Sequence, residues 1–205
     1  MKYHGQNLED QFVHRYFGDY KGTLLDIGAN RGDYLSNSLA LINLGWAGHL
    51  IEPASVFADL QALHANNPRV KCYNYGIGEK EDTLTFYESG AHVPGGTDKA
   101  LVSSFDLSEL GRWEGVKFEE KQIKVVPFDI FWLEAGLPVF DFISLDAENF
   151  DWLILQQIDL VAVGCKCLCI EWNSDYQLYR KFVDYCAAAR LTLKVQNAEN
   201  LIFVK

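Results

Sequence analysis

Two short apolar runs, residues 23–28 and 48–53, each carry an acid near their end, Asp26 and Glu52, and one helix-length segment lies between them. The first run breaks into a turn holding Gly28 and Gly32; the second is cut off by Pro53. Apolar runs this short, bounded by glycine or proline, read as strands buried on both faces. The segment between them, residues 33–44, has helical periodicity and closes at Gly45. A second helix over 55–65 and a third strand over 69–75 complete the order βαβαβ. Parallel neighbours need a long crossover, so this order predicts a mostly parallel sheet with helices on both faces. A further helix, residues 7–16, precedes it with Leu8, Phe12 and Val13 on one side.

The second half repeats the pattern after an interruption. Residues 83–87 and 122–126 read as strands, and residues 89–120 between them are irregular and rich in Gly, Ser and charge. Long irregular segments inside a compact domain usually serve as lids or binding loops. Strands follow over 140–146 and 166–171, both ending in an acid, with helices over 151–158 and 174–189. A hairpin of 191–195 and 201–204 closes the chain. With 205 residues, no repeat and no linker, the expectation is one domain spanning 1–205.

Charge excludes several functions. The formal net charge is −10, and the longest charged stretch, Glu79 to Asp82, is mostly acidic. Nucleic-acid binding draws its affinity from Lys and Arg, so neither nucleic acid nor an anionic membrane surface is an expected partner. No apolar run is long enough to insert in a bilayer, and residues 1–12 lack the pattern of a secretory signal; a soluble, cytoplasmic protein is expected. Five cysteines make no disulfide framework. Cys165, Cys167 and Cys169 alternate, which on a strand puts all three on one face as small apolar residues.

The cofactor signal lies in residues 24–33. Glycines after a first strand let backbone approach a ligand. A dinucleotide fingerprint reads G-x-G-x-x-G, whereas this turn is G-x-x-x-G preceded by Asp26. That carboxylate repels a pyrophosphate but suits a ligand bearing an ammonium or a sulfonium, and S-adenosylmethionine (SAM) bears both. Glu52, ending the next strand, is placed to accept hydrogen bonds from ribose hydroxyls. The third strand ends at Asn74 and Gly76, where adenine would lie. The candidate cofactor residues are therefore Asp26, Gly28, Ala29, Asn30, Gly32, Glu52, Pro53, Asn74 and Gly76.

At residues 6–10, 26–32, 51–53, 141–148 and 170–173 the chain resembles the FkbM family of SAM-dependent methyltransferases. The resemblance implies a Rossmann-like class I methyltransferase fold, with a mostly parallel seven-stranded sheet whose last strand is antiparallel. It also implies O-methylation, often of sugar hydroxyls in glycans or natural products. Gln6 and Asp10 are assigned to the cofactor on this resemblance alone. In one place the chain departs from the family, which usually has an acid followed by glycine after the fourth strand: here Glu148 is followed by Asn149.

Methyl transfer needs an aligned acceptor and a route for its proton. Asp146 and Glu171 end successive strands beside the glycine-turn strand, and ligands of open α/β sheets sit at such strand ends. With the amide of Asn173 they form a hard-oxygen set suited to Mg²⁺ or Mn²⁺. This also looks like the arrangement in metal-dependent catechol methyltransferases. Glu148 is a candidate base or a helix N-terminal acid; Asp146, Glu148 and Glu171 are the candidate catalytic residues. His92 is a candidate base on a closing loop, against the commoner case of a solvated loop histidine. His14 and His64 read as structural or surface residues. Trp113, Trp172, Tyr176 and Tyr179 are candidates for the mouth, against an ordinary core role. The expected partner is a glycan or small-molecule acceptor, with glycosyltransferases, fused or separate, as candidate co-workers. Non-sugar acceptors (phenol, lipid or natural product) and a non-catalytic SAM-binding module remain open alternatives. A dehydrogenase is disfavoured by Asp26 and the missing third glycine.

Overall fold

A computed structural model of the chain describes residues 2–91 and 99–205. His92 lies outside the described residues. The first half runs α1 (Glu9–Phe17), β1 (Thr23–Ile27), α2 (Leu39–Asn43), β2 (Ala47–Ile51), α3 (Phe57–His64) and β3 (Val70–Tyr73). Three strands then stand apart: β4 (Gly76–Ile77), β5 (Asp82–Ser89) and β6 (Phe118–Val126). The second half runs α4 (Phe128–Ala135), β7 (Phe142–Leu145), α5 (Asp151–Leu155), β8 (Cys167–Glu171), α6 (Tyr176–Ala188), β9 (Thr192–Gln196) and β10 (Asn200–Val204).

Seven strands form the main sheet in the order β3-β2-β1-β7-β8-β10-β9. All neighbours are parallel except β10, which runs antiparallel to both β8 and β9. This is the expected α/β, class I arrangement. The winding reverses between β1 and β7, the place where open sheets of this kind leave a crevice at their carboxyl ends.

Side-chain alternation along the central strands divides the core in two. Leu25, Ile27, Ile143, Leu145, Leu168 and Ile170 pack with Phe131 of α4, Ile154 of α5 and Phe182 of α6. Leu24, Phe142, Cys167 and Cys169 face the other way, onto Val13 of α1, Leu41 of α2 and Leu60 of α3. On that second face the apolar row ends early. Asp26 and Ser144, register partners in β1 and β7, sit where the alternation calls for core residues, and both are buried. A polar strip thus runs under the sheet's carboxyl end on the α1/α2 side.

Several expected boundaries shift. The helix expected over 33–44 is confined to Leu39–Asn43, because Leu35 stands at φ 52 and interrupts the run before it. The irregular residues 33–38 cross the polar strip instead. Helix α4 was not anticipated: Pro127 precedes it, Phe128, Phe131 and Ala135 are its buried positions, and Gly136 ends it at φ 92. The interruption is larger than two strands, since β4 pairs with β6 in a separate three-stranded sheet. Strand β6 begins at Phe118, which ends the irregular segment at 117. The three cysteines do not share a face. Strand β8 starts at Cys167, and Cys165, lying before it, packs in the opposite core. All five cysteines are free.

The glycine turn locks β1 to β7. Gly28 has φ +86, and a Cβ built on it would overlap the Asp146 carbonyl oxygen. Its N–H and that of Ala29 both donate to Ile51 O (3.0 and 3.1 Å), and Asp146 N donates to Ile27 O (3.0 Å). Gly28→Ala should cost ~2 kcal/mol or more, because neither backbone can give way. Gly136→Ala, in the left-handed region but with nothing within 4 Å, should cost only ~1 kcal/mol. Urea unfolding midpoints measure both; equal losses would mean that the two turns separate readily.

Candidate active site

The turns after β1, β2 and β7 converge on a cavity of about 590 Å³. Glu52 is the tie between the first two. It follows β2 and is buried; one oxygen accepts from Ala54 N (2.6 Å), the other from Asn30 N (2.7 Å). Asn30 is held at φ 47, a left-handed conformation that asparagine tolerates. Burial pushes the Glu52 carboxyl up to about 7, with the two N–H bonds opposing and Asp26 and Glu88 adding to the rise. Each oxygen keeps a further acceptor position, and Glu52 lines the cavity. Asp26 sits deeper. Burial raises it to about 7, a hydrogen bond with Ser38 opposes this, and the Asp146 charge adds to it. Two buried carboxylates poised near neutrality form a place that welcomes positive charge.

Three expected cofactor residues do other work. Gly32 (φ +78) lies off the cavity wall, where a Cβ would meet Leu60 and Leu63 of α3; its freedom serves packing. Asn74 donates to Glu52 O (2.9 Å) and braces the turn from outside. Asp10 is buried and accepts from His4 N (2.6 Å), fastening the N-terminal segment. That segment carries Gln6 to the cavity, and Ala29, Pro53 and Gly76 line it as well. Its anchor is Glu9, which the sequence did not single out. Buried beside the β9–β10 turn, the Glu9 carboxylate accepts from Asn7 N, Asn197 Nδ2 and Asn200 Nδ2 at 2.7–3.0 Å.

At the opposite end, Asp146, Glu148 and Glu171 bring one carboxylate oxygen each within 4.8 Å of one another. Asp146 follows β7 and opens onto the cavity, while Glu171 ends β8 and is only 8% exposed. Glu171 is raised chiefly by burial and further by the Asp146 charge. Asp146, exposed to the cavity, is raised chiefly by the protein enclosing its carboxyl, with a hydrogen bond to Glu171 opposing. Glu171 Oε2 is buried and accepts no hydrogen bond among the described residues. Asn173, at φ 47, hydrogen-bonds Glu171 and lines the cavity. Backbone bonds from Trp172 and Asn173 to Glu199 O (2.8 and 3.3 Å) hold that strand end against the β9–β10 turn. The structure therefore groups Glu148 with the two strand-end acids and makes Asn173 a neighbour of Glu171.

Residues 99–113 and the small sheet wall the remaining side. Phe105 lies over Gly76, where a Cβ would meet its ring at 2.7 Å, and it contacts Phe86 and Phe150 (4.7 and 5.4 Å between centroids). Trp113 lines the cavity beside Arg112. The other aromatic candidates do not: Trp172 is core and donates to Asn197 O, Tyr179 packs on it, and Tyr176 is 72% exposed. His14 bonds the Tyr3 hydroxyl, and His64 is buried in α3 beside Gly32. Residues that sequence reasoning missed include Asn37, which donates to Ser144 Oγ (3.3 Å), and Arg112. The clue to Arg112 was a cation beside tryptophan in an acidic chain; nothing in the sequence marks Asn37.

Known proteins match this geometry at several levels. Methyltransferase FkbM from Methylobacillus flagellatus KT superposes over 91% of this chain with a TM-score of 0.57 at 16% identity, and the match covers 44% of that chain. The present chain thus spans less than half the length of that protein. Precorrin-6y C5,15-methyltransferase from Geobacter metallireducens matches 96% of this chain and 86% of its own, with a TM-score of 0.50 and 10% identity. A methyltransferase from Geobacter sulfurreducens matches 97% and 76%, with a TM-score of 0.50 and 11% identity. No curated protein matches by sequence. At these identities the likeness concerns the fold. The family itself comes from a sequence model, the methyltransferase FkbM domain, which matches residues 26–193 from the acid before the glycine turn into β9: the chain belongs to the FkbM methyltransferase domain family.

Proposed function

We propose that this chain transfers a methyl group from SAM to a hydroxyl of a sugar or glycan, assisted by a divalent cation at Asp146 and Glu171. One observation carries the proposal: three carboxylates converge within 4.8 Å on the cavity that also holds the glycine turn and Glu52. The residues suit both groups. Asp26 and Glu52 are buried acids that favour a cationic nucleoside ligand, and the backbone at Gly28 lies open to close approach. Glu171 Oε2, buried and without a hydrogen bond among the described residues, suits a hard cation, which prefers oxygen ligands. When bound, SAM supplies an electrophilic methyl and the cation lowers the pKa of the acceptor hydroxyl.

The chain's own residues do the rest. Glu52, fixed by two N–H bonds, accepts from ribose hydroxyls. Asp26 offsets positive charge near the turn. Asp146 and Glu171 hold the cation, and Asn173 orients Glu171. Glu148, the third carboxylate of the group, would take the proton that leaves the acceptor oxygen as the O–C bond forms and the S–C bond breaks, with S-adenosylhomocysteine as the leaving group. Residues of the 99–113 segment wall the same space on its remaining side.

Labelled methyl from SAM should appear on simple glycosides only with Mg²⁺ or Mn²⁺ present. Full transfer in a large excess of EDTA would rule out the cation, and label confined to phenols would rule out the sugar. Asp146→Asn and Glu171→Gln should each lower turnover by ~100-fold or more while S-adenosylhomocysteine still binds, as calorimetry can check. Because burial pushes the Glu52 carboxyl up to about 7, its carboxylate form grows as pH rises. Cofactor affinity should therefore climb between pH 6 and pH 8, by up to ~10-fold. Glu52→Gln should flatten that rise; an unchanged slope in the variant would assign the titration elsewhere.

A further inference from the structure

We infer that Arg112 and Trp113 select the acceptor, and that the acceptor they select is an uncharged saccharide face and not an acidic sugar. The inference rests on the proposed activity and adds to it the class of acceptor and the residues that choose it.

The wall that carries this pair is fixed to the catalytic turn. Ser104 is buried, exchanges backbone bonds with Tyr87 of β5 (2.9 and 3.2 Å), and donates through Oγ to Glu148 O (2.5 Å). Asn149 Nδ2 donates to Asp106 Oδ2 (3.3 Å). Beneath, Ala100 and Val102 are buried with Phe86 close by. These anchors set the following residues over the acids. Arg112 Nη1 lies 4.0 Å from Glu148 Oε2, and its guanidinium lies 5.2 Å from the Trp113 ring centroid. Both residues line the cavity, with Arg112 next to Glu148.

Their chemistry fits one class of molecule. A saccharide presents C–H groups on its ring face and hydroxyls at its edge. The indole face stacks on the first, while guanidinium donors and a carboxylate meet the second. Charge narrows the class further. Among the described residues lining the cavity, six are carboxylic acids (Asp26, Glu52, Asp146, Glu148, Glu171 and Glu199) and Arg112 is the cation. Arg112 and the proposed divalent cation together offset three of the six formal charges. An excess of negative charge therefore still faces the acceptor, and like charges brought together at an interface oppose association. Arg112 already faces Glu148, so it does not stand as a spare site for an acidic group.

The test is binding, read by saturation-transfer NMR and tryptophan fluorescence on the full chain with Mg²⁺, with and without S-adenosylhomocysteine. The probes are methyl glucoside, its uronic-acid counterpart and catechol. The glucoside should bind, and the uronic acid should bind ~10-fold or more weakly by comparison. Trp113→Ala should weaken the glucoside ~10-fold, Trp113→Phe should restore most of the loss, and S-adenosylhomocysteine affinity should stay unchanged in both. Equal binding of glucoside and uronic acid would overturn the charge selection. Wild-type affinity in Trp113→Ala would overturn the role of the pair, and binding of catechol alone would overturn the saccharide class. Loss of S-adenosylhomocysteine binding by the wild-type chain would count against the proposed activity, while the sugar arms would still decide this inference.

Discussion

Gly28 and the Asp146 carbonyl occupy space that no side chain can share. The chain reverses its winding between β1 and β7, so the turns leaving these two strands must lie against each other. A left-handed glycine in one lets the backbone of the other close upon it. Both ends of the cavity hang on that contact. The turn after β1 carries Asn30 to Glu52 and with it the cofactor end; the turn after β7 carries Asp146 and Glu148 and with them the acid end. Were the two turns held apart by a methyl group, both ends would survive as local structures but would no longer face one cavity.

The acids gathered there work against the stability of the empty fold. Asp26 and Glu52 both sit at about 7, and the enclosing protein also raises Asp146, Asp151 and Glu171. A carboxyl whose pKa is raised by folding holds its proton longer than in the unfolded chain, so its contribution declines as pH rises from the unfolded value through the folded one. Positive charge entering the cavity relieves the same repulsion. Sites of this kind commonly give up stability for function. Glu9 makes the contrast plain, since it is as buried as any of them yet surrounded by amide donors from Asn7, Asn197 and Asn200. Asp151 is likewise held by backbone N–H groups and stands off the cavity wall, whereas Glu171 keeps a buried oxygen with no hydrogen bond among the described residues.

Much of this was legible because the central strands are buried on both faces and so read as apolar runs. The acids at their ends stood out for the same reason: a carboxylate interrupting such a run has few structural uses. Where the sequence misled, a local rule lost to packing. Residues 33–38 have a helical pattern, yet Leu35 at φ 52 breaks it so that Asn37 and Ser38 reach Ser144 and Asp26. Gly32 looked like part of a ligand-binding turn, but α3 fills the space beside it. Cys165 matched the strand alternation by spacing while lying two residues before the strand that obeys it. Helix α4, marked by Pro127, Phe128, Phe131 and Gly136, has only eight mostly apolar residues, too few for helical periodicity to stand out from a buried strand.

The departure from the family's acid-glycine pair follows from the same packing. Glu148 and Asn149 stand at φ 46 and 79, a left-handed pair in which the second position is a natural glycine. Asparagine is among the few other residues that visit this region readily, so the turn keeps its path. What it gains is a side chain. Asn149 reaches Asp106 while the carbonyl of Glu148 takes the Ser104 hydroxyl, so the turn that carries the proposed base also fastens the wall across the cavity. Glycine would supply the turn without that hydrogen bond. The substitution therefore trades some backbone ease for a fixed distance between Glu148 and the residues that would meet the acceptor.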